Sequence, residues 1–195
     1  HSRESHVVES IESCEVLRPS LVALLPDLRR ALQPMLKGKE TADVALLDAD
    51  SGIDLLITSK QAPTLQARQA LAALAEEHDL ARVCWQPTGL RDEEPEPLAI
   101  RRPVVVEFAG VRVEPAPGAF LQPTAEGERA LAEAVAGWLD GMQGPIGDFF
   151  AGIGTFTFPL ARHAKVHAIE GSEAAIASLW QAARKHDLQG RVTAE

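Results

Sequence analysis

The stretch Asp148-Phe149-Phe150-Ala151-Gly152-Ile153-Gly154-Thr155, running into the apolar segment 156–161, constrains this chain more than any other. A strand that turns into a helix through two glycines brings free backbone amides and the positive end of a helix dipole to one point. Gly152 and Gly154 remove the side chains there, so a ligand can touch the main chain. The neighbouring segments fit such a turn. Thr124 can cap a helix with Leu131, Val135, Trp138 and Leu139 on one face and Glu126 and Glu128 near its start. A strand ending at Asp148, a helix from about Thr155, a strand over 165–170, a helix from Glu173 to His186 and a strand in 190–195 follow. Alternating strands and helices predict a parallel, doubly wound α/β sheet.

Glu170 ends the next strand, sixteen residues beyond Gly154. An acid at that position in such folds accepts hydrogen bonds from ribose hydroxyls, so the pair implies a nucleoside-containing ligand. A dinucleotide site reads G-x-G-x-x-G, whereas the third place here holds Thr157. Asp148 stands four residues before Gly152. A pyrophosphate gains nothing from that carboxylate, but a sulfonium cofactor with a free amino group can use it. The spacing favours S-adenosylmethionine over a dinucleotide. The competing structural reading is that both glycines serve only tight strand–helix packing.

Residues 1–117 read differently. A strand is expected over 5–13 and a helix over 18–38, with Leu21, Leu24, Leu25, Leu28 and Leu32 at helical spacing. Pro26 is expected to kink or split that helix, and Gly38 to stop it. Two apolar runs flank Asp50-Ser51-Gly52 as a hairpin. Thr64 can cap a helix whose core residues are Leu71 and Leu74, and 81–86 reads as a strand. The acidic, proline-broken run 89–98 reads as an exposed loop, and 103–115 as a second hairpin with Ala109-Gly110 at its tip. This is an α+β domain with a mostly antiparallel sheet. The break falls in 115–124, giving expected domains of 1–117 and 118–195. Trp85 is expected at an interface between them, Trp138 in the core, and Trp180 in the core or beside an adenine pocket. His163, His167 and His186 are read as surface or packing residues.

Composition narrows the partners. The formal net charge is −9, with 13 basic against 19 acidic side chains in residues 1–117 and 6 against 9 in residues 118–195. Neither part presents a phosphate-binding surface by bulk charge, which counts against an RNA partner. The two cysteines, Cys14 and Cys84, make no disulfide framework and suit a reducing cytoplasm. Cys84, in an apolar run, reads as a small buried hydrophobe. No apolar run is long enough to span a bilayer. The chain opens on His1 and closes in a strand-like run, so both ends are read as cut.

The segment 148–161, followed by Ala168-Ile169-Glu170-Gly171-Ser172, resembles the cofactor motif of the S-adenosylmethionine-dependent RNA uracil-5-methyltransferases. Gly118-Ala119-Phe120-Leu121-Gln122-Pro123-Thr124 resembles the short F-x-Q motif that precedes their methyltransferase domain, and 5–32 resembles the start of their central domain. The resemblance implies an α+β central domain followed by the N-terminal half of a Rossmann-like class I methyltransferase fold. It implies methyl transfer from S-adenosylmethionine to C5 of a uridine in ribosomal or transfer RNA. It places Gln122 near cofactor and target base, Phe150 in the cofactor pocket, Thr155 at the methionine end and Glu170 on the ribose. Cys14 matches a cysteine that, in one branch, is the fourth ligand of a [4Fe–4S] cluster. In that family a cysteine thiolate attacks C6 of uracil and a glutamate removes the C5 proton. Both are expected beyond Glu195, so this stretch alone is expected to be inactive. The small RNA-binding TRAM barrel of many members is also missing. Pro123-Thr124 replaces the usual Val-Asn after Gln122, and Ala151 stands where many relatives have cysteine.

Two rival readings stand beside this one. The first is a class I methyltransferase acting on a small molecule or a protein. The second is a non-enzymatic interaction module that keeps a relic of the cofactor turn. An open edge of a half-sheet also predicts self-association through that edge.

Overall fold

The computed structural model describes residues 12–38, 40–89, 94–139, 141 and 143–195. The strand expected over 5–13 falls almost wholly outside them, as does part of the acidic loop expected over 89–98, whose residues 96–98 are strand rather than loop because they pair with the strand holding Cys84 and Trp85. The first unit holds α1 (Pro19–Leu32), a short 3-10 turn (Gln33–Met35), β1 (Ala42–Ala49), β2 (Gly52–Ser59), α2 (Leu65–Glu77), β3 (Arg82–Pro87) and β4 (Glu96–Ile100). The strands form one sheet in the order β1-β2-β3-β4. β1/β2 and β3/β4 are antiparallel, whereas β2/β3 is parallel because α2 carries the chain back across the sheet. Leu21, Leu24 and Leu28 of α1 and Leu71 and Leu74 of α2 bury against Ile53, Leu55, Ile57 and Val83. The strand period of two turns Asp54, Leu56, Arg82 and Cys84 to the opposite face. Burial pushes the Cys84 thiol up to about 11, the behaviour of an inert core thiol.

α1 runs unbroken through Pro26. The expected split does not occur: the Pro26 side chain faces solvent, and the leucine stripe is buried on both sides of it. Trp85 does not sit at an interface. Its indole N–H donates to the Ser59 hydroxyl at 2.8 Å and its ring packs on the first core.

The second unit begins with a hairpin, β5 (Val106–Phe108) and β6 (Val111–Val113). Ala109 and Gly110 both have positive φ, the geometry that suits a two-residue turn. α3 (Ala125–Trp138) follows, then β7 (Ile146–Phe149), α4 (Thr157–Leu160), β8 (Val166–Ile169), α5 (Glu173–Lys185) and β9 (Val192–Ala194). β7, β8 and β9 form a parallel sheet in that order. The second core joins Phe158, Leu160, Val166, Ala168, Leu179 and Val192 to Val106, Phe108, Val111 and Val113. The hairpin lies N-terminal to residue 117 yet packs here. It is pinned by the Lys185–Glu114 ion pair at 2.6 Å, by the Arg112 N–H donating to His186 Nε2 at 3.1 Å, and by Arg162 donating to the Ala109 carbonyl.

α3 departs from expectation. Thr124 caps it as read, its hydroxyl accepting from the Gly127 N–H at 3.1 Å. Val135, Ala136 and Leu139 touch the second core, but no residue of the helix is buried and Trp138 is 79% exposed rather than in the core. β7 lies at one edge of the described sheet, and its last residue, Phe149, is exposed.

This asymmetry yields a stability prediction. Leu179 is fully buried, so Leu179→Ala costs about 3 kcal/mol, whereas Trp138→Ser stays within about 0.5 kcal/mol. Denaturant unfolding of this chain measures both, and an equal loss at the two positions contradicts the arrangement.

Candidate functional site

β7 and β8 run in register, Phe149 opposite Ile169, so the chain leaves both strands at the same end of the sheet. Open parallel sheets take their ligands outside that end of the strands. Glu170 closes it from one side. Its Oε2 accepts from the Gly152 N–H at 2.9 Å and its Oε1 from the Ser172 N–H at 2.9 Å. One carboxylate thus ties the turn after β7 to the turn after β8.

The two glycines do different work. A Cβ at Gly152 would meet nothing within 4 Å, so the backbone there borders open space. A Cβ at Gly154 would lie 2.4 Å from the Phe158 ring, and its φ is +105°. Gly154 lets Phe158, buried in the second core, press against the turn. The ligand reading therefore fits Gly152, and the packing reading describes Gly154.

Asp148 is buried, and its Oδ2 accepts from the Thr157 hydroxyl at 2.5 Å. Burial pushes its carboxyl above the usual range, against the opposing pull of the Thr157 hydroxyl and backbone N–H. The carboxylate is turned towards the start of α4 and holds the turn from within. α4 is a single turn of helix, so the dipole expected at this point is small. Glu170 and the backbone amides it ties shape the crevice instead. Phe150 is 91% exposed with φ +60°, an unusual conformation for a residue with a side chain, and it leaves an aromatic face free beside the crevice.

Thr155 is half-buried and lines a groove of about 960 Å³ between α3, the β5–β6 hairpin and α4, together with Arg112, Arg129, Arg162 and His163. Gly152 and Glu170 do not line that groove. Gln122 is half-buried in the approach to α3. Burial raises the pKa of the nearby Glu128 carboxylate, against the opposing pull of the Gln122 backbone N–H. His163 is exposed, and His167 bonds the Thr193 hydroxyl at 2.7 Å and Glu195 at 3.1 Å, both at the surface. Trp180 packs part-buried against the second core.

Two participants were not evident from the sequence. Ser172 both donates its N–H to Glu170 and caps α5, accepting from the Ala175 N–H at 3.3 Å. A serine two residues after the strand-end acid and just before a helix was the available signal. Phe158 had none, because its role depends on the packing of the turn.

Among the described residues, one group could hold a metal ion: Asp27, Glu77 and His78. Asp27 already pairs with His78 at 2.9 Å and with Arg30 at 2.7 Å, which accounts for the group without an ion. Cys14 is a free, half-buried thiol outside that group. One thiolate does not make a [4Fe–4S] site, so the described residues do not supply one. No described helix is long and apolar enough to cross a membrane.

No family model matches the chain. It is 37% identical over 98% of its length to an uncharacterized RNA methyltransferase of Rhizobium meliloti, covering 44% of that protein. It is 34% identical over 87% of its length to the 23S rRNA (uracil(1939)-C(5))-methyltransferase RlmD of Tolumonas auensis, covering 38% of that protein. The chain thus spans less than half the length of these curated relatives. Its fold superposes on the Pyrococcus abyssi tRNA (uracil-54, C5)-methyltransferase, solved with S-adenosyl-L-homocysteine, with a TM-score of 0.68 at 15% identity. That match covers 97% of this chain and 49% of the other. Methanocaldococcus jannaschii Trm5, solved with adenosine, matches with a TM-score of 0.53 at 18% identity over 93% of this chain and 52% of that one. At such identities the likeness establishes the fold: an α+β unit followed by the front of a Rossmann-like methyltransferase domain.

The division between the glycines is testable by stability. Gly152→Ala meets open space and costs about 1 kcal/mol for its left-handed backbone. Gly154→Ala adds a clash with the Phe158 ring and costs about 3 kcal/mol or more. Thermal unfolding distinguishes them, and equal losses contradict the assignment.

Proposed function

We propose, from the premise that this chain belongs to the S-adenosylmethionine-dependent RNA uracil-C5-methyltransferase family, that the whole protein methylates C5 of a uridine in ribosomal or transfer RNA. The observation that carries the reading is the Glu170 carboxylate fixed between the Gly152 and Ser172 amides beside open space. A carboxylate at the end of the second parallel strand suits ribose hydroxyls, which donate hydrogen bonds to it. S-adenosylmethionine, when bound, supplies an electrophilic methyl group. The residues of this chain hold and orient it. Glu170 takes the ribose, and the bare backbone at Gly152 lets the cofactor approach. The exposed Phe150 ring walls the pocket. Gly154 and Asp148 keep the turn in shape through Phe158 and Thr157. Thr155 meets the methionine end, and Gln122 stands near cofactor and base. The nucleophilic cysteine and the base that removes the C5 proton are contributed by other parts of the protein, as is the cationic surface for RNA. Cys14 would join a [4Fe–4S] cluster only with three further thiolates from outside this chain.

A second reading has one observation in its favour. The formal charge of −9 suits a small-molecule or protein methyl acceptor better than RNA.

Full-length protein incubated with radiolabelled S-adenosylmethionine and unmodified ribosomal or transfer RNA should yield 5-methyluridine. Label appearing only in small molecules or protein overturns the RNA reading. Glu170→Ala should weaken cofactor binding roughly 10- to 100-fold, the value of hydrogen bonds to a charged group. Calorimetry giving wild-type affinity for that variant overturns the ribose assignment.

A further inference from the structure

The loop that carries Gln122 is built against the first sheet. Asp54 is only 2% exposed and lies on the face of that sheet away from α1 and α2. It is paired there with Arg82 of the adjacent strand. Arg82 Nε donates to Asp54 Oδ1 at 2.8 Å and Nη2 to Oδ2 at 2.7 Å. This two-pronged pair leaves the guanidinium no freedom to turn. Its Nη2 also donates to the Pro115 carbonyl at 3.0 Å. Three residues later Gly118 lies against the same face, where a Cβ would come within 2.6 Å of Leu56 Cδ2 and where φ is +76°. Leu121 then packs on the second core, and Thr124 caps α3. Gln122 is therefore held from one side by the first sheet and from the other by the start of α3.

A buried ion pair contributes little net stability over an apolar pair of the same shape. What this one adds is a direction: it aims a third donor at one backbone carbonyl. We infer that Arg82, oriented by Asp54, is a positioning residue for Gln122, fixing the loop 114–123 on the first sheet so that the Gln122 side chain is presented at the reacting centre. The inference rests on the reading of Gln122 as a contact of cofactor and base.

The test is a double-mutant cycle in the full-length protein, with methyl transfer from radiolabelled S-adenosylmethionine to an unmodified RNA transcript as the readout. Arg82→Lys keeps the charge beside Asp54 but cannot serve both carboxylate oxygens and the Pro115 carbonyl. It should lower kcat/KM by about 10- to 100-fold through misplacement of Gln122. Gln122→Ala should lower it comparably, and the double variant should be no worse than the more impaired single one. Gly118→Ala, which disturbs the same loop without touching the ion pair, should show the same non-additivity with Gln122→Ala. It carries the test if Arg82→Lys does not fold. Losses that multiply overturn the positioning role and leave the Gln122 reading intact, because sites that act independently add in free energy. A Gln122→Ala variant with wild-type kcat/KM overturns both.

Discussion

The carboxylate of Glu170 accepts from two backbone amides, Gly152 and Ser172, that belong to the turns after neighbouring parallel strands. Everything at the candidate site is arranged around that junction. Each amide is a strong donor with no partner in the sheet, and each would demand one. A single acid at the end of β8 satisfies both and fixes the distance between the turns. Asp148 does the same work one layer down, holding Thr157 from inside the core, and Phe158 occupies the space that Gly154 leaves. The turn is thereby set from below and from the side, while Gly152 and Phe150 stay open above it.

The two units are joined by polar contacts between side chains and backbone. Arg102 donates to the Ser51 carbonyl, and the Val105 N–H to the Ser51 hydroxyl at 2.8 Å. Arg102 and Arg101 also hold Asp79 well below the usual carboxylate range, at about 2. The β1–β2 turn, the end of α2 and the start of the β5–β6 hairpin are thus brought together. The hairpin in turn packs on α5, and the loop after it crosses the first sheet before reaching α3. The first unit therefore supports the segment leading into α3 as well as covering its own core.

Much of the site was legible because its signals are local. The spacing of Asp148, Gly152, Gly154 and Glu170 needs only a strand, a turn and a second strand, and the caps at Thr64 and Thr124 need only the residues three positions on. The hairpin tips at Asp50-Ser51 and Ala109-Gly110 were likewise readable. What escaped depends on three-dimensional packing. The leucine stripe of α1 overrides Pro26. The apolar pattern of α3 says that a face exists, but cannot say that Leu131 and Trp138 remain exposed. The identical-looking glycines separate only once the Phe158 ring is placed, and nothing in a run such as Arg82-Val83-Cys84 announces a guanidinium aimed at Pro115.

The central claim is that the Gly152 backbone and the Glu170 carboxylate form one face of an adenosine-bearing cofactor site. Amide NMR of the full-length protein titrated with S-adenosyl-L-homocysteine tests it most directly. The account predicts saturable shifts of the Gly152 and Ser172 amides, the two donors to Glu170, larger than those of the amides around Asp54 and Arg82. Saturable binding that leaves the Gly152 and Ser172 resonances in place contradicts it.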